Sequence, residues 1–137
     1  MGRNKVIGGG GFHHLAIKVA DFDGAVKFYT AGLGFVEKAR WGEGDSRAIL
    51  LDTGDGNYFE LFAGGKPSAE AAGPFVHVAL RSDNVDAAIA RAKAAGAVVT
   101  MEPKDVDIPS TPPLPVRIAF CKAPGGEVLE FFHHRKD

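Results

Sequence analysis

Two segments of the chain alternate apolar and polar residues in nearly the same way and predict two matching strands. They are "HHLAIKVAD" at 13–21 and "VHVALRSDN" at 76–84. A shift of 63 positions aligns them, with His14 on His77 and Asp21 on Asn84. Self-similarity of this kind indicates a fold built from repeated units, so the chain is predicted to consist of two related halves.

A helix is predicted to follow the strand in each half. The segments "FDGAVKFYTAG" and "VDAAIARAKAAG" directly follow Asp21 and Asn84. Side-chain oxygens of Asp and Asn accept hydrogen bonds from the free N–H groups of a first helical turn, so both residues are predicted N-caps. The helices are expected to end near Gly32 and Gly96, where glycine allows the chain to turn.

A second match lies later in the halves, where "YFELF" at 58–62 corresponds to "VLEFF" at 128–132 with a shift of 70 positions. The seven additional residues are assigned to "EPKDVDIPSTPPLP" at 102–115, whose five prolines favour an extended loop. Three strands are predicted after each helix. They are 34–41, 46–53 and 57–63 in the first half, and 97–101, 116–121 and 127–133 in the second.

These elements predict an α+β fold of two paired βαβββ modules, whose sheets curl around an open trough with the helices outside. The modules are expected at 12–63 and 75–134, joined by a linker at 64–74 and preceded by a flexible lead-in at 1–11. Together they form one domain over 12–134.

Four polar residues are predicted to share the trough side of the sheets. Successive side chains on a strand point to opposite faces, and Leu15 and Ile17 mark the apolar face of the first strand. The four residues that lie opposite the better apolar face of their strands are His14, Glu60, His77 and Glu130. If the halves pair symmetrically, these four side chains converge.

Converging imidazoles and carboxylates are suitable ligands for one divalent metal ion such as zinc, nickel, manganese, cobalt or iron. Taken singly, a strand histidine or glutamate is more typical of an ordinary solvated or hydrogen-bonded residue. Four of them at repeat-equivalent positions, with consistent facing, favour a metal site.

Composition narrows the function classes. Sixteen Lys and Arg residues nearly balance seventeen Asp and Glu residues, which gives no electrostatic reason to expect binding to nucleic acid or to an anionic membrane. No apolar run approaches the ~20 residues of a membrane span. Cys121 is the single cysteine, which excludes an internal disulfide and makes a reducing cytoplasm the expected location.

The sequence resembles the vicinal oxygen chelate superfamily, which includes glyoxalase I, methylmalonyl-CoA epimerase, extradiol dioxygenases and the bleomycin resistance proteins. The resemblance covers about residues 12–133 and is carried by "HHLAIKVADFDGAVKFYTAGLGF", "YFELF", "VHVALRSDNVDAAI" and "APGGEVLEFF". It implies that the metal ligands are His14, Glu60, His77 and Glu130. Glutamate at position 60 looks most like glyoxalase I, whereas the turn at 123–126 departs from the usual Asp-Pro-Asp-Gly.

The resemblance implies a metal-dependent lyase or isomerase that acts on a small bidentate oxygenated substrate through an enediolate-like intermediate. Glu130 and Glu60 are then the candidate catalytic bases. A homodimer is expected, and the site forms either within one chain or between two. The alternatives are a metal-independent protein that sequesters a drug-like ligand, as in bleomycin resistance, and an extradiol-type dioxygenase.

Six further residues are predicted to face the trough and contact a small-molecule substrate. Two are arginines, whose forked donors are suited to a carboxylate but which are equally typical of a solvated strand edge. The six are Trp41, Arg47, Tyr58, Phe62, Arg117 and Phe132.

Overall fold

A computed structural model describes residues 4–6, 8, 11–67 and 76–136 of the chain. The predicted lead-in at 1–11 and linker at 64–74 fall largely outside these residues. The described part contains two copies of the predicted element order, a strand, a helix and three strands.

The first module consists of β1 (His14–Lys18), α1 (Phe22–Lys27), a π-helical turn (Phe28–Gly32), β2 (Val36–Trp41), a 3-10 turn (Gly44–Ser46), β3 (Ala48–Asp52) and β4 (Tyr58–Phe62). The second consists of β5 (Val78–Arg81), α2 (Val85–Ala94), β6 (Val98–Ile108), β7 (Leu114–Lys122) and β8 (Val128–His134).

Each module forms its own four-stranded mixed sheet, with the same strand order in both. The orders are β1-β4-β3-β2 and β5-β8-β7-β6. In each sheet the first and last strands of the module pair in parallel, and the other neighbours pair antiparallel. The predicted α+β fold of two βαβββ modules is therefore confirmed, and the repeat in sequence is a repeat in topology.

Both predicted N-caps are present. The Asp21 carboxylate accepts a hydrogen bond from the Gly24 N–H at 3.0 Å, and the Asn84 side chain accepts one from Ala87 N–H at 3.0 Å. The second helix ends as expected, with Gly96 at a φ of +111°. The first helical segment also ends as expected, because α1 stops at Lys27 and the π-helical turn continues it to Gly32.

The helices cover one face of each sheet and define the core. Alternate residues of the inner strands point to this covered face and join one buried cluster across both modules. Its strand members include Ile49, Leu51, Phe59, Leu61, Cys121, Leu129 and Phe131. We call the opposite side of each sheet, which carries Glu60 in the first module and Glu130 in the second, its open face.

The two modules are joined on the helix side. The Arg91 guanidinium of α2 donates to the Ala31 carbonyl at 3.1 Å. Gly32 lies so close to α2 that a Cβ atom built on it would be 2.6 Å from the Ala95 Cβ. Contact between the π-helical turn and α2 therefore fixes the modules to each other away from their open faces.

The proline-rich segment at 102–115 is not the predicted loop. β6 extends to Ile108 and β7 begins at Leu114, so the two strands form a long hairpin connected by residues 109–113. Pro103 lies in an irregular stretch of β6 between Met101 and Lys104. Because β6 is the edge strand of its sheet, the missing N–H of Pro103 breaks no essential hydrogen bond.

None of the helices within the described residues is both long and apolar enough to span a membrane.

Candidate metal-binding site on the open faces

The first histidine and glutamate are brought together by the parallel pairing of β1 and β4. Ala16 is in register with Glu60, and His14 lies two residues before Ala16 on the same face. The His14 Nε2 is 3.5 Å from Glu60 Oε1. Glu60 is only 9% exposed. The His14 imidazole therefore contacts a carboxylate that is nearly buried.

The second pair repeats this geometry. Ala79 is in register with Glu130 on β8, and His77 lies two residues before Ala79. The His77 Nε2 is 3.1 Å from Glu130 Oε1, and Glu130 is 7% exposed. The same two residue types therefore occupy the same register in both sheets.

Burial sets the electrostatics of the second pair. It raises the pKa of the Glu130 carboxyl above its usual value, and the neighbouring His77 only partly opposes this by favouring the charged form. Imidazole nitrogen and carboxylate oxygen side by side form a donor set that suits zinc and related divalent ions. By the chemistry of their donors, the two pairs fit the implied metal.

The two pairs do not form one cluster within the chain. Among the residues that the structure describes, no group of three or more His, Cys, Asp or Glu side chains is arranged to hold a metal ion. Each open face thus carries half of the predicted set of ligands, one imidazole and one carboxylate. The predicted convergence of all four requires a second pair from elsewhere.

The ring of His13 contacts the first pair. Its Nδ1 is 2.9 Å from the Nδ1 of His14, and the two rings meet edge to face with centroids 5.2 Å apart. His13 also lies against Tyr58, with centroids 5.1 Å apart. Strand alternation predicts His13 on the face opposite His14, but His13 precedes β1 in a bend, so its ring can contact His14 and Tyr58. The histidine doublet was the available signal in the sequence.

The predicted aromatic residues lie on the open faces. Trp41 pairs with Ala48, which pairs with Phe62, and directly opposed residues of antiparallel strands share a face. Tyr58 and Phe62 flank Glu60 on β4, and Phe132 lies two residues beyond Glu130 on β8. Trp41 is 47% exposed, so a large aromatic surface is accessible on the open face that carries the first pair.

The two predicted arginines do not face the trough, and this expectation is wrong. Arg47 donates to the Asp23 carboxylate at 3.1 Å and lies 4.7 Å over the Phe22 ring, both on the helix side. Arg117 donates to both oxygens of Asp86, at 2.7 and 2.8 Å. The strand parity was misassigned by one residue at both sites.

These arginines are instead repeat-equivalent ties between sheet and helix. Asp23 and Asp86 occupy the same position in the first turns of α1 and α2. Arg117 also donates to Asp105 on β6 at 3.0 Å, and these two carboxylates raise the pKa of the guanidinium. The sequence contains a signal for this equivalence. Asp23 and Asp86 are 63 positions apart, Arg47 and Arg117 are 70 positions apart, and these are the two shifts of the repeat.

Two other cations share the face of the metal-ligand pairs. Lys18 is in register with Phe62, and Arg81 is in register with Phe132, so each lies on the open face of its sheet. Both side chains are exposed. The alignment of Lys18 with Arg81 in the repeat was the sequence signal for this equivalence.

Comparison with known proteins places the chain among proteins of similar fold. A family model described as the Glyoxalase/Bleomycin resistance protein/Dioxygenase superfamily matches residues 11–131. The chain is 30% identical over 129 residues to a probable lactoylglutathione lyase of Vibrio cholerae, with 90% of each protein covered.

Solved structures give the same result for the fold. A glyoxylase/bleomycin resistance protein/dioxygenase domain from Frankia sp. EAN1pec superposes with a TM-score of 0.72 at 21% identity, covering 92% of this chain and 98% of that one. TnmS3, an antibiotic binding protein from Streptomyces sp. CB03234, gives 0.64 at 24% identity, covering 89% and 93%. An antibiotic binding protein shares this architecture, so the ligand pairs must carry the argument for function.

Proposed function

Because the chain belongs to the glyoxalase/bleomycin resistance protein/dioxygenase superfamily, we propose that it is a metal-dependent lyase or isomerase of the glyoxalase I type. Its substrate is a small molecule with two neighbouring oxygen atoms. The observation that carries this proposal is the pair of repeat-equivalent His–Glu contacts on the open faces. The similarity to a probable lactoylglutathione lyase supports the reaction class.

The complete site is proposed to form in a homodimer. The modules of one chain are joined through the π-helical turn and α2, and the two His–Glu pairs do not join in one cluster among the described residues. A second copy supplies the missing pair when the first module of one chain faces the second module of its partner. Two-fold symmetry then creates two identical sites from the same contacts.

The four ligands in this proposal are His14 and Glu60 of one chain with His77 and Glu130 of the other. A divalent ion held by them, zinc, nickel, manganese, cobalt or iron, supplies Lewis acidity that stabilises oxyanions of the substrate. Both glutamates are nearly buried, which limits the access of water to their carboxylates.

Glu130 is the proposed base that moves a proton between adjacent carbons of the substrate. Burial raises the pKa of its carboxyl, which brings the group closer to the pH at which it operates. Glu60 is the equivalent carboxylate on the other sheet and is the second candidate base. The exposed Trp41, with Tyr58 and Phe62 on the same face, is proposed to contact the apolar part of the substrate.

The proposal is tested with metal-free protein reloaded separately with nickel, zinc, manganese, cobalt or iron(II). Three reactions are measured: hemithioacetal isomerisation, epimerisation of an acyl-CoA, and oxygen uptake with catechols. We expect isomerisation by the loaded protein, and we expect Glu130→Gln to lower kcat by about 100-fold or more. Glu102→Gln, which changes an exposed glutamate of β6, is the matched control and is expected to retain full turnover.

Three results would contradict the proposal in different ways. Oxygen uptake with iron(II) in place of isomerisation would make the protein a dioxygenase. A protein that takes up none of these metals at neutral pH, yet binds apolar ligands with a change in Trp41 fluorescence, would be a sequestering protein. Full turnover by Glu130→Gln would remove the base assignment alone.

A further inference from the structure

His13 forms a polar contact with one proposed metal ligand, and the equivalent residue in the described part of the second half, Val76, cannot make such a contact. We propose that His13 is a positioning residue that holds His14 with its Nε2 directed toward Glu60. This inference rests on the proposed metal-dependent function and adds to it a residue that does not itself bind the metal.

The geometry of the first pair shows how His13 can act. The Nδ1 atoms of His13 and His14 are 2.9 Å apart, a normal hydrogen-bond distance. On the opposite side of the His14 ring, Nε2 faces the Glu60 carboxylate at 3.5 Å. His13 is itself held in place by its ring contact with Tyr58, two residues before Glu60 on β4. One nitrogen of His14 is thus fixed by a neighbour, and the other is directed into the site.

The chemistry of imidazole assigns a direction to this hydrogen bond when a metal is held. A ligating Nε2 needs its lone pair free, so the remaining proton of neutral His14 must be on Nδ1. That Nδ1–H then donates to His13 Nδ1, which acts as the acceptor. Histidine ligands in proteins usually donate their second N–H to such a partner, which fixes the tautomer and the ring orientation.

The second half of the chain provides an internal comparison. The residue that corresponds to His13 in the repeat is Val76, which cannot accept a hydrogen bond. His77 is instead in edge-to-face contact with the Phe120 ring, with centroids 5.3 Å apart. Its ring is held by this packing and by its contact with Glu130, so replacing Val76 should leave metal binding unaffected.

The test measures metal binding by metal-free full-length protein, with zinc titrated against a competing chelator. His13→Phe keeps a ring against Tyr58 but removes the acceptor, whereas His13→Asn keeps an oxygen that can accept from His14. Loss of such a partner weakens metal binding about 10- to 100-fold, and the exposure of His13 places the expected effect near 10-fold. His13→Asn and the control Val76→Ala are expected to bind zinc within about three-fold of the wild type, well short of that penalty.

A spectroscopic readout separates positioning from a general loss of structure. In the zinc-loaded wild type, the hydrogen-bonded Nδ1 proton of His14 should give a resolved NMR resonance, which disappears in His13→Phe and remains in His13→Asn. Wild-type affinity and an unchanged His14 resonance in His13→Phe would overturn the inference and leave the proposed function intact. A wild type that binds no divalent metal would overturn both. Equal weakening by His13→Phe and His13→Asn would also overturn it, since the acceptor would then not matter.

Discussion

Replacement of Gly32 by alanine is expected to destabilise the protein, because it forces the two modules apart where the π-helical turn meets α2. The added Cβ would lie 2.6 Å from the Ala95 Cβ. Carbon atoms in contact are normally separated by about 3.5–4.0 Å, so the elements must move apart by roughly 1 Å. Overpacking of this kind costs about 1–3 kcal/mol.

A smaller effect of opposite sign accompanies the clash. Alanine is preferred over glycine in helical backbone by roughly 0.5–1 kcal/mol. The net loss of unfolding free energy is therefore about 1–2 kcal/mol, which lowers Tm by several degrees in a domain of this size. Urea denaturation followed by circular dichroism measures the loss directly.

A double-mutant cycle isolates the contact. Ala95→Gly removes the methyl group that meets the new side chain, so it should recover about 1 kcal/mol of stability in the Gly32→Ala background. Ala94→Gly, which changes the exposed neighbouring residue at the end of α2, is the control and should recover none. If the effects of Gly32→Ala and Ala95→Gly add within about 0.5 kcal/mol, the proposed close packing of the modules is refuted.

Three further predictions concern stability. Asn84→Ala should cost about 1 kcal/mol of unfolding free energy through loss of the N-cap of α2, with Asp83→Ala as the control and denaturant unfolding as the measurement. Arg117→Met should lower Tm more than the control Arg40→Met, because Arg117 of β7 binds Asp86 of α2 whereas Arg40 pairs with a residue of its own strand β2. An equal decrease of Tm by both variants in low salt would contradict this prediction. Burial raises the pKa of the Glu127 carboxyl in the folded protein. The contribution of Glu127 to stability is therefore present below the pKa that this residue has in the unfolded chain, and it is lost as the pH rises through the higher pKa of the folded state. Glu127→Gln should accordingly stabilise the protein more at pH 8 than at pH 4, and an advantage that does not grow with pH would contradict the assignment.

The repeated architecture was predictable because its signals are local. Alternating apolar residues mark β1 and β5, and the caps Asp21 and Asn84 act within three residues of themselves. The same alternation correctly placed His14 on the face opposite Leu15 and Ile17, which pack against the core. Each of these features depends only on neighbours in sequence.

The long hairpin was not predictable, because prolines are tolerated in β6 for a reason that the sequence does not contain. Pro103 is acceptable in a strand only because β6 is at the sheet edge and irregular at that point. Which strand lies at the edge depends on the spatial order of the strands in the sheet, and no local sequence pattern specifies that order. The proline content therefore predicts a loop at 102–115, where the structure has a hairpin.

The predicted orientation of Arg47 and Arg117 was wrong for a different reason. The parity of a strand can be assigned only when its register is known, and a shift of one residue moves every side chain to the other face. Arg47 lies just before β3, so apolar alternation gave it no firm register. Its partner Asp23 is 24 residues away, beyond the range of any local pattern.

The central claim, that a metal site is shared between chains, is tested most directly by complementation. One variant carries His14→Ala with Glu60→Gln, the other carries His77→Ala with Glu130→Gln, and the differently tagged chains are co-expressed so that heterodimers can be purified. In a two-fold dimer with shared sites, the heterodimer combines both intact pairs in one site and both altered pairs in the other. The account predicts about half the zinc content of the wild-type dimer, clearly above that of either variant homodimer. A heterodimer that binds no more zinc than the homodimers, while the wild type binds fully, would show that the site is not shared between chains.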